Sequence, residues 1–146
     1  MNMLNFNDDT DEVINQIESV TSYYALRKIK ELYEDIHQAA SCGEIYYTAR
    51  KSAFETKFDI TLSDGRNIGE ITIEGDYDNV STEVHEAVIN GYKIQAEKVL
   101  SFLDDKIHRV EKDKSKNDRI AIWYIIGISV GIGFILYCLL CLKNLL

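Results

Sequence analysis

The stretch Lys57–Glu74, KFDITLSDGRNIGEITIE, is where the chain changes from a helical to an alternating period, and its reading decides the fold class. Phe58, Ile60 and Leu62 alternate with Lys57, Asp59 and Thr61. Asp64-Gly65 then supplies a turn, and Ile71 and Ile73 alternate with Glu70 and Thr72, which together predict a β-hairpin over 56–74. With Asp64 and Gly65 as the two loop residues, Leu62 faces Asn67, Ile60 faces Gly69, Phe58 faces Ile71 and Thr56 faces Ile73, so the apolar side chains collect on one face. The same register sets Asp59 opposite Glu70, a pair of carboxylates that reads as a solvated outer face rather than a cation site. Alternation at Ile45, Tyr47 and Ala49 allows a third strand over 44–50. Because an isolated hairpin is marginal in water, helices must cover it.

Both flanks are helical in period. Upstream, Val13, Ile17, Val20 and Tyr24 are spaced four, three and four apart. After a one-residue shift Ala25, Ile29, Leu32, Ile36 and Ala39 continue the stripe, and one long helix is expected from Asp8 to Gly43. Asp9 with Glu12 is its candidate capping box and Gly43 its stop. Downstream of Ser81, a candidate N-cap, Val84, Val88, Tyr92, Ala96, Val99, Leu103, Ile107 and Val110 keep one stripe on one side of a second long helix. The stretch Glu111–Arg119 is polar all round and reads as a stalk.

From Ile120 to Leu142 there are 23 residues without a charged side chain. At a rise of about 1.5 Å per residue that length matches a hydrocarbon layer of roughly 30 Å, so a transmembrane helix is expected. Arg119, Trp123, Tyr124, Tyr137 and Lys143 sit where membrane-interface residues belong, and the basic residues of the 106–119 flank would hold the N-terminal domain in the cytoplasm. Gly127 and Gly131 form a G-x-x-x-G, overlapped by Ser129 and Gly133, a spacing that lets two helix backbones approach closely.

The charge balance excludes some functions. There are 24 Asp and Glu against 16 Lys and Arg; residues 1–50 hold 9 acidic and 4 basic side chains, and 51–80 hold 7 and 3. An acidic surface of this kind offers no footprint for nucleic acid. Cys42 stands alone, whereas Cys138 and Cys141 spell C-x-x-C within the last turns of the apolar stretch, where packing rather than metal or redox chemistry is expected. The loop GDYDNVSTE, Gly75–Glu83, lacks the glycine and glutamate of a calcium loop and reads as a strand-to-helix turn. His37, His85 and His108 have no second ligand at helical spacing and read as surface residues. No nucleophile motif, phosphate loop or dinucleotide fingerprint is present.

The expectation is an α+β protein: a cytoplasm-facing domain over 1–110, a polar juxtamembrane stalk over 111–119, a transmembrane helix over 120–142 and a short tail over 143–146. It would be tail-anchored and single-pass, and would act as a non-enzymatic adaptor or assembly module without cofactor or metal. Its expected partners are membrane lipid, a second copy of itself and a protein bound by the cytoplasmic domain. The alternative is a small membrane effector, of the kind carried by phages or mobile elements, that assembles through the glycine-rich stretch and perturbs the bilayer.

Overall fold

The computed structural model describes residues 6–145, and of Phe6–Asp8, Gly131 and residues 133–145 the backbone alone. The described chain is α+β, with three helices and a three-stranded antiparallel sheet of order β1-β2-β3. Helix α1 (Phe6–Glu18) and α2 (Tyr23–Cys42) precede β1 (Tyr46–Lys51), β2 (Glu55–Thr61) and β3 (Asn67–Glu74), and α3 (Thr82–Leu145) follows. By internal contacts the chain divides after Ile107, and the two units are described separately.

The first unit carries the hydrophobic core. The single helix expected over 8–43 is instead two helices, broken at Ser19–Ser22. Hydroxyl groups make the break, since Ser19 Oγ donates to the Gln16 carbonyl at 2.7 Å and Ser22 Oγ accepts from Ala25 N–H at 3.3 Å as the N-cap of α2. Asp9 lies inside α1 rather than at its cap. The stop at Gly43 follows from its left-handed conformation, φ 72°, which lets its N–H and the next reach the last carbonyls of α2.

The hairpin contains a compensated slip. Its loop is Ser63–Gly65, one residue longer than a two-residue turn, and is closed by Leu62 N–H donating to the Arg66 carbonyl at 3.0 Å. Gly65 takes φ 87°, and Asp64 accepts from Arg66 N–H at 3.0 Å, holding its carboxyl below the usual carboxylate range. Thr61 therefore pairs with Asn67, and a bulge at Ile68 absorbs the extra residue. Ile60↔Gly69, Phe58↔Ile71 and Thr56↔Ile73 then stand opposite each other as the alternation requires. Phe58, Ile60 and Thr56 are 1 % exposed or less. Phe58 and Ile60 join Val88, Tyr92 and Ala96 of α3 and Ile36 and Ala40 of α2 in one core cluster that also includes Ile45, Leu62 and Ile71.

In the second unit, residues 108–145 of α3, helix continues through the polar Glu111–Arg119 and into the apolar stretch. The membrane expectation is corrected here: among the described residues no helix is long and apolar enough to cross a membrane. The transmembrane, tail-anchored, single-pass and membrane-located assignments fall with it.

Candidate functional site: interaction surfaces

Three surfaces concentrate chemistry. The first is the outer face of the sheet, opposite the core side chains Phe58 and Ile60. Asp59 and Glu70 do stand opposite each other, but Arg50 reaches across from β1, donating from Nη2 to Asp59 Oδ1 at 2.7 Å and also to Glu70. The paired carboxylates thereby share one cation from β1, and among the described residues no group of three or more His, Cys, Asp or Glu could hold a metal ion. Arg50 was not legible as their partner because the link needs the register of β1 as well as that of the hairpin.

The second surface is a cleft where the end of β3, the Gly75–Ser81 loop and the first turns of α3 meet. It encloses about 510 Å³, with Ile73, Tyr77, Val84 and Ala87 as apolar wall and Asn79, Ser81 and Glu83 as polar rim. Local chemistry explains its shape. Gly75 sits at φ 112°, and a Cβ there would stand 2.9 Å from Tyr77 Cε2, so only glycine lets the ring fold back along the loop. Buried Thr56 pins the same loop, donating from Oγ1 to the Gly75 carbonyl at 2.7 Å and accepting from Tyr77 N–H at 3.1 Å. Ser81 Oγ caps α3 through Val84 N–H at 3.3 Å. Asp76 and Asp78, the residues with calcium-loop character, both pair with Lys51, at 2.7 and 2.5 Å. Phe54, 87 % exposed, stands on the adjoining turn, where its carbonyl accepts from Gly75 N–H at 2.9 Å.

The third surface lies wholly in the second unit. Trp123 and Tyr124 are each 72 % exposed, and the described apolar side chains from Ile120 to Ile132 face solvent on every side of the helix. Ile120, Trp123, Tyr124, Gly127 and Ile128 fall on one helix face and form a hollow with Gly127 at its floor. A Cβ at Gly127 would meet nothing within 4 Å. Ser129 Oγ is satisfied within its own helix, donating to the Ile125 carbonyl at 2.8 Å. Arg119 is exposed, whereas the side chains of Gly131, Gly133, Tyr137, Cys138, Cys141 and Lys143 lie outside the described residues.

The histidines differ from expectation at one position. His85 is half-buried, with Nδ1 2.8 Å from Tyr47 Oη and its ring edge-on to that phenol. His37 Nε2 lies 3.2 Å from Glu97, and His108 is exposed. Burial raises Tyr47 to a pKa of about 12, so the phenol stays protonated near neutrality.

Fold and surfaces together define an α+β head with an apolar cleft, in a chain that also carries an exposed apolar helix. Comparison with protein-family models, curated proteins and solved structures finds no match.

Proposed function

We propose that this chain is a non-enzymatic assembly module, in which copies associate through residues Ile120–Ile132 of α3 and thereby gather their α+β heads. The observation that carries the reading is the exposure of nine large apolar side chains between Ile120 and Ile132, from 46 to 72 % each. With the two aromatic side chains carrying about 150–250 Å² each and the aliphatic ones less, they amount to apolar surface on the order of 1,000 Å² per chain, comparable with the about 800 Å² each partner gives to a standard interface. Water does not tolerate such a surface on an isolated helix, and a helix apolar all round is stable only when surrounded.

Gly127 supports close approach between copies. Inside a helix glycine costs about 1 kcal/mol relative to alanine, and no neighbour within the described chain requires it. A second backbone crossing at Gly127 gives the residue a reason, and Trp123, Tyr124 and Ile128 then close around the crossing. Because the apolar side chains point in all directions, a two-helix seam leaves part of them wet, and bundles of three or more are favoured.

Sedimentation velocity of the full chain over a wide concentration range tests this. Concentration-dependent association that Gly127→Ile weakens supports the reading. A monomer at every concentration, or a chain that binds neutral lipid vesicles as a monomer, overturns it.

A further inference from the structure

The cleft of the head has both a shape and a charge pattern, and neither is used by the association of α3. Its volume of about 510 Å³ falls within the roughly 300–1,000 Å³ typical of built ligand sites. The walls are Ile73 and Val84, half-buried at the edge of the core, and the exposed Tyr77 and Ala87. Glu83 stands on its rim and Glu86 follows one turn along the same helix; both are exposed, and among the described residues neither forms an ion pair. The nearby cation, Lys51, is already shared between Asp76 and Asp78. An apolar floor beside an acidic helix edge selects an occupant that is apolar at its centre and basic at its edge.

From this geometry we propose that the cleft between β3 and the first turns of α3 takes a short peptide segment in which an aliphatic anchor is flanked by lysine or arginine. The aliphatic side chain enters between Ile73 and Val84, the Tyr77 ring lies along it, and the flanking cations meet Glu83 and Glu86. Gly75 and Thr56 hold the Tyr77 loop in place before the peptide arrives, so little ordering cost falls on binding. Recognition by the head is independent of association by α3 and would persist in a Gly127→Ile chain.

The test uses the full chain and a fluorescein-labelled hexapeptide of alternating lysine and leucine, read by fluorescence anisotropy. Two control peptides replace leucine with serine or lysine with glutamate. Ala87→Arg occupies the cleft from an exposed helical position and adds a good helix former, so the fold is retained, as circular dichroism would verify. The expected result is binding of the lysine–leucine peptide at least tenfold tighter than either control, with a loss of tenfold or more in Ala87→Arg and in the double variant Glu83→Gln/Glu86→Gln. Equal affinity for the lysine–serine peptide would reduce the effect to bulk charge and overturn the proposal. Undiminished binding by Ala87→Arg would place the peptide elsewhere, including on the apolar part of α3, and would overturn it equally.

Discussion

The Tyr92 hydroxyl donates to the carbonyl of Ile68 at 3.0 Å, and it does so through the space that a side chain at Gly69 would fill. A Cβ on Gly69 would lie 2.1 Å from that oxygen and 3.4 Å from Cζ. Ile68 is the bulged residue of β3, and Asn67 Oδ1 accepts from Gly69 N–H at 3.0 Å beside it. One phenol from α3 thus satisfies the carbonyl that the bulge leaves out of the ladder, and one glycine makes room for it.

Gly69→Ala should destabilise the head by about 1–3 kcal/mol through overpacking, and Tyr92→Phe by about 1–3 kcal/mol through the loss of the donor to Ile68. In the Tyr92→Phe background the alanine meets ring carbon at 3.4 Å and Ile60 Cδ1 at 3.8 Å, so its cost should shrink. Urea unfolding of the two single variants and the double variant checks this, and strictly additive losses would show that the two residues do not meet.

Lys106 is buried in α3, and its Nζ donates to the carbonyls of Ile17, at 2.8 Å, and Glu18. The Ile17 carbonyl also accepts from Val20 N–H at 3.0 Å, and Lys106, 89 residues downstream, adds a second donor to it and reaches the Glu18 carbonyl. Lys106→Met keeps the aliphatic stem and removes the donor. It should cost about 1–3 kcal/mol and raise amide exchange across Asp11–Glu18 while leaving the strands protected; uniform exchange across the head would contradict the assignment.

Alkaline pH should weaken the head. Burial raises Tyr47 from its ordinary value of 10 to about 12, and raises Tyr33 and Tyr92 as well. The unfolded chain releases these protons first, so the folded form binds more protons above pH 10, and stability falls as pH rises from there through about 12. In Tyr47→Phe the fall between those values should be shallower. Thermal melts at a series of pH values read this directly.

Much of the head follows from alternation and helical period alone. Phe58, Ile60 and Thr56 are buried on one face because a period of two leaves no other choice, and the stripe from Val88 to Ile107 is buried because its spacing stays near the helical repeat. The break at Ser19–Ser22 left a trace in the one-residue shift between Tyr24 and Ala25, but the competing hydroxyl bonds of Ser19 and Ser22 outweighed the continuity of the pattern. The slip at Ser63–Gly65 and its repair at Ile68 were hidden because two opposite errors leave the register of Phe58 and Ile71 unchanged. Arg50, Lys106 and the cleft at Tyr77 depend on residues brought together from distant elements, and single-chain periodicity carries no such information. The membrane reading came from the apolar composition of residues 120–142, a property that measures how badly a helix needs cover and does not say what covers it.

The chain has one tryptophan, Trp123, and it lies on the face of α3 that the assembly would bury. Acrylamide quenching of its fluorescence, measured on the full chain at rising concentration, therefore tests the central claim most directly. Burial between copies predicts a shift of emission to shorter wavelength and a falling quenching constant as concentration increases, with Gly127→Ile holding Trp123 in its quenchable, solvent-exposed state. A Trp123 that stays equally quenchable at every concentration, or that is shielded only when lipid vesicles are added, would contradict self-assembly through this helix.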